Sequence, residues 1–243
     1  MKVFFLFFTV VFLNQVFSQK QPEQTLSAQE VLAKSIAYHD PLGRWNGLEA
    51  SFVVEMQTPS RPTRTTLIEL NFPKEYFKST VTTDGITTAS AIEKGNCTHW
   101  FEGNTVFTDE IAETHRLNCE RTTTMRNYYT YLYGLPMKLN DPGTHLDQKV
   151  YTKVFNGESL LCLKVTYAEA IGKDSWYFYF DPATFALRHY QFYHDESKND
   201  GEYILLSGEE TVQGIKMPKT RAWYTNQANE YLGTDVLSLL KEE

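Results

Sequence analysis

Alternation of apolar and polar side chains with a period of two is the feature that most limits the fold of this chain. In residues 47–57, GLEASFVVEMQ, apolar side chains at even-numbered positions alternate with polar ones at most odd-numbered positions. This period is typical of a strand with one buried and one wet face. Strand patterns of this kind separated by turn signals occur at 48–57, 64–72, 77–83, 86–92, 149–155, 160–167, 175–180, 186–194, 203–210 and 219–224. Asp84-Gly85 predicts a tight hairpin, and Pro59 and Pro62 are predicted to separate the first two strands.

Two segments have helical spacing instead. Ser27 and Glu30 form a capping box that predicts a helix over 28–38. Apolar side chains three and four residues apart predict a second helix over 120–132, ending near Gly134. About ten strands in mostly meander order with two helices predict a β-rich α+β fold. We expect a strongly curved antiparallel sheet, a half-barrel, with the helices packed on its concave face and room for a cavity between them.

The N-terminus resembles a secretory signal. A short positive start precedes the run VFFLFFTVVFL at residues 3–13, in which only Thr9 is polar. Such a run is too short to span a membrane, which needs about 20 apolar residues. Val16 and Ser18 suit cleavage before Gln19. We therefore predict a periplasmic or secreted protein without a transmembrane segment after cleavage; an uncleaved anchor is the alternative.

Residues 19–243 have the length of one domain with a sizeable core, and we predict a single half-barrel domain there after the signal peptide at 1–18. The formal net charge is −7 and the chain contains no run of Lys or Arg, which argues against nucleic acid as a partner. No phosphate-binding Gly loop, G-x-S-x-G or H-E-x-x-H motif occurs in the sequence. We therefore expect no cofactor. The absence of these motifs favours a function other than catalysis. It does not exclude an enzyme, because a catalytic triad assembled in space leaves no sequence motif.

The three cysteines are Cys97, Cys119 and Cys162. Export permits a disulfide, and three single pairings exist between which the sequence does not choose. We expect Cys97 to pair with Cys119 and Cys162 to stay free; three reduced thiols are the alternative. The spacing of His and Cys matches no structural zinc site, so no metal is predicted.

Histidines next to carboxylates are the residues that point to an enzyme. His39-Asp40 follows the first predicted helix, where a cap-and-turn role competes with acid–base catalysis. His189 and His194 lie five residues apart on one predicted strand and therefore on opposite faces, which argues against a shared metal site.

Aromatic side chains are the better indication of ligand binding. The sequence contains 16 Phe and 15 Tyr, which suits either a pleated core or a pocket lined by rings. The residues that we expect to line such a pocket, with Arg126 for an anionic headgroup, are Trp45, Trp100, Arg126, Tyr128, Tyr129, Tyr131 and Trp176. The alternative is that the rings form an ordinary core and Arg126 lies on the surface.

Several motifs resemble a known superfamily. WYFYFDPATFALRHYQFYHD at 176–195 and QGIKMPKTRAWYTN at 213–226 look like the outer-membrane lipoprotein carrier superfamily, the LolA-like fold. YHDPLGRW at 38–45, RNYYTYLYGLPMKL at 126–139 and LGTDVL at 232–237 resemble an uncharacterised family of exported proteins from Bacteroidota. The resemblance implies a half-barrel with a helical lid over an apolar pocket, in which the carriers hold acyl chains.

The leading hypothesis is an exported periplasmic protein that binds a lipid or another hydrophobic molecule between the curved sheet and the helical lid. One alternative is an exported hydrolase that uses His39 and Asp40. Another is a module that binds a second envelope protein through an open edge of the sheet.

Overall fold

A single antiparallel sheet of twelve strands forms most of residues 26–240. The structure, a computed structural model, describes residues 26–240, so the predicted signal peptide and its cleavage site lie outside the described residues. The strands are Glu49–Thr58 (β1), Arg61–Asn71 (β2), Tyr76–Thr83 (β3), Ile86–Glu93 (β4), Asn96–Phe101 (β5), Thr144–Phe155 (β6), Glu158–Tyr167 (β7), Ser175–Phe180 (β8), Leu187–Tyr193 (β9), Glu202–Val212 (β10), Ile215–Thr225 (β11) and Tyr231–Leu239 (β12).

In the described part of the chain three α-helices accompany the sheet: Ala28–His39 (α1), Asp109–Thr114 (α2) and Cys119–Tyr133 (α3). The capping box in front of α1 is confirmed, since the Ser27 N–H donates to Glu30 Oε2 at 2.8 Å and the Glu30 N–H donates to Ser27 Oγ at 3.3 Å. The helix predicted over 120–132 is confirmed as α3, whereas the six-residue α2 was not predicted.

The hairpin at Asp84-Gly85 is also confirmed. Both residues have positive φ, 51° and 78°, as the tight turn between β3 and β4 requires. Pro62 was predicted to separate two strands, and this was wrong, because β2 begins at Arg61 and includes it. Pro62 lies where the register between β1 and β2 shifts, so the pairing there does not use the N–H that proline lacks.

The sequence prediction missed two strands, β5 and β12, and β12 holds the sheet together. The strand order is β5-β4-β3-β2-β1-β12-β11-β10-β9-β8-β7-β6, so the last strand joins the first five to the other six. The buried positions of β12 are Gly233, Asp235 and Leu237. Two of these three residues are not apolar, so the strand has little of the alternation by which the others were recognised.

The predicted fold class is confirmed: a curved, open antiparallel sheet with helices packed against it, built from twelve strands instead of about ten. One continuous core contains Val31 and Leu32 of α1, Tyr129 and Leu132 of α3, and inward residues of both halves of the sheet such as Phe52. β5 and β6 are the two edge strands. Within residues 26–240 no helix has the length and apolar character needed to cross a bilayer.

Candidate ligand-binding site

Helix α3 covers the sheet with aromatic side chains. Tyr129 stacks on Phe77 with ring centroids 6.4 Å apart, and Tyr133 lies 5.1 Å from the ring of Phe52. Three of these four rings are fully or almost fully buried and Tyr129 is 4% exposed. The space between α3 and β1–β3 is therefore filled by the rings of the protein itself.

A buried arginine fastens the end of α3 to the sheet. Arg221 of β11 is 1% exposed, and its guanidinium donates to the carbonyl oxygens of Leu132 at 3.1 Å and of Pro218 at 3.0 Å. The same guanidinium lies 3.9 Å from the centroid of the Tyr133 ring. Hydrogen bonds from a charged donor are about twice as strong as neutral ones, so Arg221 is a strong link between sheet and helix.

Asp235 of β12 is the carboxylate nearest to this arginine in the sheet register. Arg221 and Asp235 are paired positions of neighbouring strands, and the Trp223 indole N–H donates to Asp235 Oδ2 at 3.3 Å. Burial raises the pKa of the Asp235 carboxyl, and the positive charges of Arg221 and Arg64 offset only part of that effect. The interior below α3 thus contains charged groups as well as rings.

Several buried polar atoms in this interior have no hydrogen-bond partner among the described residues. They include the hydroxyls of Tyr133 and Tyr190 and the Nε atoms of Arg64 and Arg221. Buried polar groups are nearly always paired with protein or water. Their burial without partners is therefore a departure from the ordinary pairing of polar groups in a protein core.

A cleft of about 530 Å³ opens beside α3, on the side of β6–β8. Its lining includes Tyr131 of α3, Tyr167 of β7, Trp176 of β8 and the exposed Ile171. Trp176 is part of a ring stack, with Phe192 at 4.7 Å. The cleft therefore borders the aromatic core directly, and its volume lies within the range of about 300–1,000 Å³ that is usual for small-molecule sites.

Polar groups lie beside the rings in this cleft. The Tyr131 and Tyr167 hydroxyls are hydrogen-bonded at 2.5 Å, and burial raises the pKa of Tyr131 well above its usual value and that of Tyr167 to about 12. Lys138 and Asp141 form an ion pair on the same wall. The cleft thus combines apolar surface with neutral hydroxyls that can orient a ligand.

The residues that the sequence selected for a pocket fall in different places. Trp176 and Tyr131 line the cleft, and Tyr128 and Tyr129 pack in the core next to it. Trp45 is buried in the same core but against Phe72, at 5.1 Å.

Two further selected residues lie apart from the aromatic core. Trp100 is on edge strand β5, with Lys78 Nζ 5.7 Å from its ring. Among the described residues the guanidinium of Arg126 donates only to the neighbouring Asn127 side chain, and Arg126 does not line the cleft. The structure therefore brings together four of the seven residues, those on α3 and β8 that are aromatic.

Sequence reasoning missed Tyr167, Ile171 and the pair of Arg221 and Asp235. Tyr167, the last residue of β7, and Ile171, in the β7–β8 connection, border the same cleft as α3, from which they are distant in sequence. A charged residue at an inward position of a strand, as at Arg221 between Lys219 and Trp223, is a signal that was available in the sequence.

His39 and Asp40 have structural partners. His39 Nε2 accepts the Leu187 N–H at 2.9 Å, so Nδ1 carries the proton and donates to the Lys216 carbonyl at 2.7 Å. Asp40 accepts the backbone N–H groups of Arg44 and Trp45. Burial lowers the pKa of His39. Both ring nitrogens are occupied, so this geometry leaves neither for proton transfer to a substrate.

The other histidine pair is also separated. His189 is 2% exposed, and its Nε2 lies 3.2 Å from Glu158 Oε1. The exposed His194 instead contacts Asp174, with Nδ1 and Oδ1 2.8 Å apart. Across residues 26–240 no group of three His, Cys, Asp or Glu side chains has a metal-binding arrangement.

The structure contains a disulfide between Cys97 of β5 and Cys119 at the start of α3, with Cα atoms 5.6 Å apart. Cys162 is a buried free thiol whose pKa burial raises to about 11. The disulfide fixes the first turn of α3 to the edge of the sheet.

Comparison with solved structures agrees with this architecture. The chain is similar to a LolA superfamily protein from Nitrosomonas europaea, with 10% identity over 90% of this chain and 96% of that chain and a TM-score of 0.51. It is also similar to a DUF1329 family protein from Desulfovibrio piger, with 10% identity over 86% of this chain and 90% of that chain and a TM-score of 0.45. At these identities the first likeness establishes a shared fold.

No curated protein matches the sequence. A family model described as a family of unknown function, DUF6503, matches residues 2–239. The chain, a curved antiparallel sheet of the LolA-like kind with α3 fastened over it, belongs to the DUF6503 family.

Proposed function

We propose that the chain is exported, loses residues 1–18 and works in the periplasm as a binder of a lipid or another hydrophobic molecule. The observation that carries the proposal is the cleft lined by Tyr131, Tyr167, Trp176 and Ile171, which opens directly onto the aromatic core between sheet and α3. The apolar run at residues 3–13 and the resemblance to exported Bacteroidota proteins support the location.

The chemistry of the cleft suits an apolar chain with a polar end. Each buried methylene contributes about 0.8 kcal/mol, so an acyl segment of roughly ten methylenes supplies about 8 kcal/mol before the entropy cost of association. The neutral hydroxyls of Tyr131 and Tyr167 offer hydrogen bonds to a carbonyl or hydroxyl of the ligand. The apolar end of the ligand lies against Trp176 and Ile171.

Ile171 gives the sharpest test because it lines the cleft and is 58% exposed, so that its replacement costs little stability. In Ile171→Asp a charge enters the proposed binding surface, and binding of a fluorescent fatty acid should weaken roughly ten-fold or more. Val106→Asp is the matched control, since Val106 is 88% exposed and lies outside the cleft. Its affinity should equal that of the wild type.

Uptake is measured by fluorescence titration of the protein from residue 19 onward, with circular dichroism as a check of folding. Equal affinity of Ile171→Asp and wild type would remove the cleft from the proposal. Failure of the wild type to bind any acyl probe would remove the lipid-binding function itself.

A further inference from the structure

A second cavity, of about 170 Å³, lies between the start of α3 and strands β2–β4. Its polar lining includes Arg64 of β2, Ser79 of β3, Ser90 of β4, His115 and Arg116 before α3, and Arg121 in its first turn. It shares no lining residue with the cleft at Tyr131 and Trp176. It is therefore a separate site with separate chemistry.

The charged side chains that line this cavity are all positive. Three arginines line it and no Asp or Glu does. Among residues 26–240, none of the three guanidinium groups has a carboxylate within ion-pair distance, whereas Arg188 pairs with Glu158 at 3.1 Å. In a chain with a formal net charge of −7, three unpaired arginines around one cavity are a strong local excess of positive charge.

Arg64 provides a second, independent observation. Its Nε is buried and has no hydrogen-bond partner in the described part of the chain. Its Nη2 lies 2.9 Å from the Met56 sulfur, and its guanidinium also interacts with the Tyr129 hydroxyl, where it offsets part of the rise that burial causes in the pKa of that tyrosine. The Asp235 carboxylate interacts with Arg64 electrostatically, but Asp235 does not line the cavity. A buried guanidinium donor without an acceptor is costly unless an anion satisfies it.

The wall of the cavity is held in place. The Cys97–Cys119 disulfide joins β5 to the start of α3, and Thr122 Oγ1 bonds the Asn118 carbonyl at 2.9 Å and His99 Nε2 at 3.0 Å. The first turn of the fifteen-residue α3 adds the positive end of a helix dipole. A ligand here meets a preorganised group of donors.

We propose that this cavity binds an oxyanion of the phosphate type, either as a free ion or as the headgroup of an anionic lipid. The planar donor fork of arginine matches the oxygens of phosphate in a bidentate arrangement. The volume admits a headgroup but is less than a third of that of the cleft. The inference stands on the arginines alone and does not rest on the proposed lipid cleft.

The test is isothermal titration of the disulfide-intact protein at low ionic strength, first with inorganic phosphate and then with a short-chain phosphatidylglycerol below its micelle concentration. The variants are Arg116→Gln, which is exposed, and Arg121→Gln, which is partly exposed. Arg126→Gln is the matched control, because it removes the same charge from α3, the helix of Arg121, at a position outside the cavity.

We expect binding of phosphate by the wild type, roughly ten-fold or more weaker binding by Arg116→Gln and Arg121→Gln, and unchanged binding by Arg126→Gln. If only the phospholipid binds, with the same dependence on the variants, the anion is a lipid headgroup. Absence of binding of both probes, or an equal loss in Arg126→Gln, would overturn the site. Ile171→Asp should leave phosphate binding unchanged. A failure of the proposed anion site can therefore be told apart from a failure of the proposed lipid cleft.

Discussion

Replacement of Arg221 by Met tests how α3 is held on the sheet. Met keeps most of the side-chain length and removes the guanidinium, which is 1% exposed and donates to the carbonyls of Leu132 and Pro218. The change removes the guanidinium donor from both carbonyls. It also removes the one of the two positive charges that has the larger effect on Asp235 of the neighbouring strand.

The magnitude follows from these contacts. Two hydrogen bonds from a charged donor contribute about 1.5–3 kcal/mol each, and the cation–π contact with Tyr133, at 3.9 Å, contributes up to about 2 kcal/mol. Relief of the desolvation cost of the buried guanidinium offsets several kcal/mol. We therefore expect a net loss of about 3 kcal/mol, which for a domain of this size lowers Tm by roughly 6–12 °C.

Urea unfolding followed by circular dichroism measures this loss, and hydrogen exchange should show faster exchange of the amides in the last turn of α3. Arg188→Met is the control, since Arg188 is an exposed partner of Glu158 and its loss should cost less than about 1 kcal/mol. If Arg221→Met lost no more than Arg188→Met, Arg221 would not be the link that fastens α3.

Burial raises the pKa of Asp235 above its usual 3.8, so the folded chain binds this proton more tightly than the unfolded chain. Wild type should lose stability relative to Asp235→Asn as pH rises through the folded pKa, and urea midpoints of the two should converge in acid. The double variant Cys97→Ser, Cys119→Ser opens a crosslink of sequence separation 22 and should lose about 3 kcal/mol, as reduction of the wild type should. Gly134→Ala places a Cβ 2.2 Å from Trp45 Cζ2, so calorimetry should find a loss of about 1–3 kcal/mol.

Local chemistry made much of the fold predictable. The Ser27 and Glu30 capping box and the Asp84-Gly85 turn are formed by residues close in sequence, so their side chains alone determine them. β12 was not predictable in this way, because Gly233 and Asp235 occupy its inward positions. On one side they lie against β11, the preceding strand, but on the other they lie against β1, which is distant in sequence.

The sequence predicted the types of residue in the site, aromatic rings and an arginine, but not most of the individual residues. Trp176 was selected as an aromatic pocket residue and lines the cleft. Ile171 joins it through a loop whose path the sequence pattern does not give, and Tyr167 joins it from the end of β7, which is distant in sequence from α3. Arg126 was selected for an anion, whereas Arg64, Arg116 and Arg121 surround a cavity. Arg64 reaches the other two only through the packing of α3 on the sheet, so side-chain type alone did not distinguish them from Arg126.

Native mass spectrometry of the protein, expressed from Met1, tests the central claim most directly. The protein is purified from a bacterial periplasm without detergent, and whatever it has bound is extracted with solvent and identified. The account predicts a chain that begins at Gln19 and carries a lipid or another apolar molecule at close to one per chain. An empty protein that also fails to take up a fluorescent fatty acid would contradict it.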